Sequence, residues 1–111
     1  MEIVELRQGA VTVIRPMGPL LEADVSAFID KACDVMGKSL GRFVLDASAI
    51  AYADSKGLEA LVDLTELVNE SGQMLKVCGE NETLREVLDL TEIGPLMEHY
   101  DDVAGAVRSF L

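Results

Sequence analysis

One serine of this chain stands where a hydroxyl could accept a phosphate. Ser55 follows Asp54, a natural helix N-cap residue, and precedes Gly57 and an apolar pattern of helical period. This order delivers the hydroxyl to the first turn of a helix, where the free backbone amides and the helix dipole would stabilise a dianionic phosphate. A tetrapeptide of this kind is more often only a helix cap. The residues alone therefore leave two interpretations open, a phosphorylation site and a cap.

An acidic stripe runs along the helix that Ser55 begins. Its members follow i, i+4, i+7, i+11 spacing, which places them on one face: Glu59, Asp63, Glu66 and Glu70. A charge stripe is usually only a solvated face. Like charges four residues apart cost an isolated helix about 0.2–0.5 kcal/mol each, and a basic partner would relieve that cost. Because the stripe begins beside Ser55, Glu59 and Asp63 are candidates for a partner surface.

The other reactive side chains form no recognisable catalytic set. His99 is the only histidine, and a structural role is the more common fate of a lone histidine. Cys33 and Cys78 lack CxxC spacing and lie within apolar patterns, which predicts buried thiols, with a disulfide as the minor alternative. One histidine and two separated cysteines cannot assemble a metal site, and there is no glycine-rich phosphate loop. The sequence therefore predicts no catalytic residue, no metal and no cofactor.

Composition narrows the class of partner. The chain has 111 residues, half of them apolar, enough for one core, so residues 1–111 are predicted to form one domain. There are 20 Asp and Glu against 9 Lys and Arg, a formal net charge of -11. This balance argues against nucleic acid and against an anionic membrane surface. Neither a secretory signal nor an apolar run of about 20 residues is present, so we expect a cytoplasmic protein with a protein partner and no membrane insertion.

Strands and helices are predicted to alternate along most of the chain. Residues 3–6 and 10–15 are predicted to form a hairpin, and the pattern from Glu22 predicts a helix that ends near Gly37. The remaining predicted elements are a buried strand at 42–46, a helix from Asp54 to about Ser71, a strand at 73–78, a helix capped by Asn81 and ended by Gly94-Pro95, a short strand at 97–100 and a last helix capped by Asp101 or Asp102. This order indicates an α/β fold with mostly parallel strands in a mixed sheet.

The segment around Ser55 resembles a known signature. A strand that ends in Asp46, a short loop and the run from Asp54 to Leu58 (Asp-Ser-Lys-Gly-Leu) that opens a long helix are similar to the signature of the STAS family. Residues 72–79 and 84–93 are similar to that family's fourth strand and third helix, so the resemblance covers essentially the whole chain. It implies a STAS-like mixed sheet of four to five strands with about four helices.

The resemblance is to the anti-sigma factor antagonists of that family, which are not enzymes. It implies a partner switch, in which the protein binds an anti-sigma factor or a related serine kinase until Ser55 is phosphorylated, and a phosphatase restores binding. Lys56 stands where a small residue is more usual, and its cation could pair with the phosphate. The partner-binding residues that follow from the resemblance and the acidic stripe are Asp54, Ser55, Lys56, Gly57, Glu59 and Asp63.

The STAS family also includes proteins that act as parts of transport complexes and not as partner switches. Some STAS proteins are accessory subunits of lipid-transport ATP-binding cassette complexes, where the domain would bind constitutively and Ser55 would have no switching role. Others are regulatory parts of transporters. The domain begins here at Met1, without a preceding membrane span, which favours the first two roles over the third.

Overall fold

The computed structural model describes residues 1–111 and contains one five-stranded sheet. The strands lie side by side in chain order: β1 (Glu2–Gln8), β2 (Val11–Met17), β3 (Phe43–Asp46), β4 (Leu75–Cys78) and β5 (Met97–Tyr100). The first two form an antiparallel hairpin, and each later strand is parallel to its predecessor. The predicted mixed sheet is therefore confirmed.

Four helices connect or follow the parallel strands. They are α1 (Val25–Lys38), α2 (Ser55–Glu70), α3 (Glu82–Leu90) and α4 (Val103–Arg108), with short 3-10 turns at Glu22–Asp24 and Gly94–Leu96. None of the helices is long and apolar enough to span a membrane. The observed alternation is the one that the hydrophobic pattern predicts.

The sheet is covered on both faces, which explains why every residue of β3 is buried. Phe43 and Leu45 belong to a cluster of 19 buried residues that includes residues of α1, α2 and α3. Val44 belongs to a smaller cluster of five buried residues, to which α4 contributes Ala106. Because β3 contributes residues to both clusters, the loop that follows it begins at a fully buried strand.

One predicted helix end is wrong. The end of α1 at Lys38 agrees with the predicted end near Gly37, and the chain then turns at Leu40 and Gly41, with φ of 56° and 82°. In contrast, α3 ends at Leu90, the left-handed residue is Glu92 with φ of 65°, and the Gly94-Pro95 pair starts the second 3-10 turn. Glycine permits a left-handed turn but does not impose one, so a glycine near a helix end does not identify the last helical residue.

The two cysteines differ in their surroundings. Cys78 is fully buried in the smaller cluster, whereas Cys33 on α1 is partly exposed, and both are free thiols. The prediction of buried thiols is therefore right for Cys78 and wrong for Cys33. The apolar helical pattern around Cys33 fixes which face of α1 it lies on, but not how completely its neighbours cover that face.

Candidate functional site

Ser55 is the first residue of α2 and is exposed. Asp54 has extended backbone angles, and its Oδ1 accepts a hydrogen bond of 2.7 Å from the backbone N–H of Gly57. This is the geometry of a helix N-cap, as the sequence predicts. The hydroxyl of Ser55 is thus presented at a defined helix start on the molecular surface.

The carboxylate of Asp54 makes a second bond that the sequence does not predict. Its Oδ2 accepts a hydrogen bond of 2.9 Å from the backbone N–H of Glu22, at the 3-10 turn before α1. The bond from Gly57, followed by the bond from Glu22, stabilises the ionised form and lowers the pKa of Asp54. One side chain therefore links the start of α2 to the segment that follows β2.

That segment lies directly against the loop before Ser55. The backbone N–H of Leu20 donates to the carbonyl oxygen of Tyr52 at 3.0 Å, and the N–H of Asp54 donates to the carbonyl oxygen of Leu20 at 3.2 Å. Leu20 and Ala53 form an isolated parallel bridge, and the Leu20 side chain is fully buried. Leu20 is not among the residues that the sequence predicts for this site. Its only local signal is an apolar residue directly after Pro19 in a loop.

Gly57 occupies a position that has no room for a side chain. An ideal β-carbon there would overlap the carbonyl oxygen of Leu20 and lie 2.9 Å from its carbonyl carbon. Gly57 therefore permits a close approach between the first turn of α2 and the loop after β2.

The charged residues around Ser55 face solvent. Lys56 Nζ lies 3.5 Å from Glu59 Oε2, an exposed i, i+3 ion pair of little stabilising value. All four members of the acidic stripe defined above are exposed along α2. The structure therefore places Glu59 and Asp63 on the helix that carries Ser55, on its solvent side.

An exposed aromatic ring also lies close to the start of α2. Tyr52 is 52% exposed, although its backbone carbonyl is held by Leu20. Large aromatic side chains that remain exposed on a rigid backbone are typical of protein interfaces. Tyr52 is absent from the residues selected by sequence, because a tyrosine in a loop carries no periodic signal.

His99 is held in the structure by both ring nitrogens. Nδ1 lies 2.9 Å from Glu80 Oε2, and Nε2 lies 2.7 Å from the carbonyl oxygen of Gly94. With both nitrogens facing acceptors of the protein itself, the imidazole connects β5, the end of β4 and the second 3-10 turn. This geometry supports the predicted structural role. No group of three or more His, Cys, Asp or Glu side chains is arranged to hold a metal ion.

Comparison with known proteins gives one family. A family model described as the STAS domain matches residues 3–106. No curated protein matches the chain significantly in sequence.

Three solved structures with the same fold are of anti-sigma factor antagonists or of SpoIIAA. A candidate anti-sigma factor antagonist from Thermotoga maritima is 21% identical, with a TM-score of 0.85 over 96% of this chain and 92% of that one. An anti-sigma factor antagonist from Mycobacterium paratuberculosis is 19% identical, with a TM-score of 0.81 over 97% and 92%. The phosphorylated form of the Bacillus cell fate determinant SpoIIAA is 16% identical, with a TM-score of 0.73 over 99% and 100%.

Proposed function

The chain belongs to the STAS domain family, and on that premise we propose that it acts as an anti-sigma factor antagonist controlled by phosphorylation of Ser55. In the unmodified form it binds an anti-sigma factor or a related ATP-dependent serine kinase, and this displaces the factor that the partner holds. Phosphorylation of Ser55 breaks the complex, and a phosphatase restores it. We assign the chain no enzymatic activity of its own.

The observation that carries this proposal is the exposure of Ser55 on a backbone held from two sides. Asp54 fixes the helix start through Gly57 and fixes the neighbouring segment through Glu22. A kinase can reach the hydroxyl without unfolding any element, because Ser55 is the exposed first residue of α2. The site is therefore suited to a modification that changes charge and leaves the fold intact.

The electrostatic effect of the modification is local. A phosphate adds a charge of about -2 at the surface, and the exposed carboxylates of Glu59 and Asp63 lie about one and two turns further along α2. A partner that covers Ser55 would have to remove water from this group, and any acidic side chain facing it would be repelled. Loss of affinity then follows from desolvation and repulsion, without a change in backbone conformation.

The similarity of the fold to SpoIIAA supports this proposal. SpoIIAA is described in a phosphorylated form, and its fold matches 99% of this chain. The related structure of the unphosphorylated form matches 98% of the chain with a TM-score of 0.72. A domain of this shape is thus compatible with both states of such a switch.

The direct test is phosphorylation by a cognate ATP-dependent serine kinase, followed by intact-mass measurement and peptide mapping. We expect one phosphate, on Ser55, and none on the Ser55→Ala variant. Ser48→Ala is the matched control, because Ser48 is also exposed but lies in the loop after β3 and not at a helix start. Phosphate on Ser48, or equal partner affinity before and after modification, would reject the switch and favour a constitutive accessory subunit.

A further inference from the structure

A second site lies at the opposite end of the sheet from Ser55. We propose that the cavity between the β1–β2 hairpin and the C-terminal end of α1 binds a tetrahedral oxyanion, either inorganic phosphate or the phosphate group of a monoester. The cavity has a volume of about 240 Å³, and its polar lining consists of Glu5, Arg7, Thr12, Lys38, Ser39 and Arg42. This site is separate from the partner switch, because Arg42 immediately precedes β3 and Ser55 lies beyond its other end.

The lining concentrates positive charge in an acidic protein. Three of the nine basic residues lie here, although acidic residues outnumber basic ones by 20 to 9. Five of the nine basic side chains have a carboxylate within 4.0 Å, but Arg7 and Arg42 are among the four that have none. The planar guanidinium group binds phosphate oxygens with two parallel hydrogen bonds. Two free arginines at one cavity are therefore matched to a dianion.

Thr12 adds an uncharged donor to the cavity. It is only 8% exposed, it lines the cavity, and its hydroxyl makes no hydrogen bond within the protein. The other buried threonine, Thr65, donates its hydroxyl to the carbonyl oxygen of Leu61 at 2.7 Å. The Thr12 hydroxyl is therefore free to donate its proton to an anion oxygen in the cavity.

The acidic groups nearby are already neutralised. The carboxylate of Glu5 also lines the cavity, but Lys31 Nζ lies 2.5 Å from its Oε1. Lys38 is paired with Asp34 at 3.0 Å, so these two pairs cancel and Arg7 and Arg42 supply the net charge.

The carbonyl oxygens at the C-terminal end of α1, beside the cavity, also accept hydrogen bonds within the protein. Ser39 donates its hydroxyl to the carbonyl oxygen of Val35 at 2.6 Å and cannot donate it to an anion as well. The backbone N–H of Gly41 donates to the carbonyl oxygen of Met36 at 2.8 Å. These bonds reduce the repulsion that the end of α1 would exert on an anion.

The test is a titration of the full-length protein with inorganic phosphate at constant ionic strength, followed by NMR of backbone amides and arginine Nε–H groups. We expect saturable shifts at Arg7, Thr12 and Arg42. A parallel titration with O-phosphoserine distinguishes the source of the anion: tighter binding assigns a phosphomonoester, and equal or weaker binding assigns free phosphate. Shifts that increase linearly without saturation would overturn the proposal.

Variants separate this site from general surface charge. Arg42→Gln and Arg7→Gln should each weaken phosphate binding at least about tenfold, since hydrogen bonds to a charged group are lost. Thr12→Val keeps the side-chain shape and should also weaken binding. Arg108→Gln on α4 is the matched control, because Arg108 is also exposed and has no carboxylate within 4.0 Å, and it should bind phosphate normally. Equal losses in Arg108→Gln and Arg42→Gln would reject a defined site.

Discussion

The carbonyl oxygen of Leu20 occupies the space in which a side chain of residue 57 would begin. The same oxygen accepts the backbone N–H of Asp54, so the loop after β2 and the start of α2 are in direct contact on both sides of Ser55. The glycine is needed because two backbones meet there, and a left-handed turn plays no part in it. The surface around Ser55 therefore consists of two chain segments that are fixed to each other.

Replacing Gly57 should show how tight this contact is. Gly57→Ala places a β-carbon against the Leu20 carbonyl group, and we expect a loss of about 2 kcal/mol in the free energy of unfolding. Gly37→Ala on α1 is the control, because a β-carbon there meets nothing within 4 Å and alanine favours the helix by about 0.5–1 kcal/mol. Urea denaturation of both variants measures the difference. Equal stability of the two variants would contradict the close approach.

Asp54 should make the protein sensitive to acid. Its pKa is lowered from the ordinary value of 3.8 by the hydrogen bonds from Gly57 and Glu22, so the folded state holds the proton less tightly than the unfolded state. The resulting stabilisation is present above the unfolded pKa and is lost as the pH falls through the folded pKa. Carboxyl ¹³C NMR should show Asp54 titrating below 3.8, and Asp54→Asn should remove its share of the acid-dependent stability. A measured pKa of Asp54 at or above 3.8 would contradict the hydrogen bonds from Gly57 and Glu22.

Partner binding should depend on the local charge of the acidic stripe. The double variant Glu59→Lys, Asp63→Lys should bind the partner about tenfold or more weakly, because complementary charge is replaced by repulsion. The variant Glu82→Lys, Glu86→Lys changes net charge by the same amount at exposed positions on a different helix, α3. Calorimetry of both variants compares their affinities. If both lose affinity equally, the stripe is only a solvated face.

Ser55 variants should reproduce the two states of the proposed switch. Ser55→Ala should bind the partner persistently even in the presence of the kinase, because no phosphate can be added. Ser55→Asp should bind poorly, since a carboxylate supplies part of the phosphate charge at a desolvated contact. Ser48→Asp, with the same charge in the preceding loop, should retain affinity. Tight binding by Ser55→Asp would show that negative charge at this position is not what releases the partner.

The two thiols should react at very different rates. Burial raises the pKa of Cys78 to about 12, and the nearby carboxylates of Asp46, Glu80 and Asp102 add to the effect. The reactive thiolate of Cys78 is therefore scarce at neutral pH, whereas Cys33 is partly exposed. A thiol reagent should modify Cys33 first and reach Cys78 only after unfolding, as mass spectrometry of the peptides would show. Simultaneous modification of both in the native protein would contradict this packing.

The sequence alone determined those features that depend on residues close together in the chain. The order of strands and helices follows from hydrophobic period, and three helix starts follow from side chains that cap the amide three residues later: Asp54, Asn81 and Asp102. The position of Ser55 on α2 was predictable for the same reason. A cap and its amide are neighbours, so their interaction survives whatever the rest of the chain does.

Only the tertiary structure decided which distant residues meet. Asp54 and Glu22 are 32 positions apart, and nothing in either segment identifies the other as its partner. The contact of Leu20 with Gly57 and the gathering of Arg7, Thr12 and Arg42 at one cavity depend on the order and register of the strands. The end of α3 at Leu90 was likewise not marked by the nearest glycine, because Gly94 begins the second 3-10 turn. Local interactions can be read from the order of residues, whereas packing brings together side chains whose separation in the chain carries no information about their distance in space.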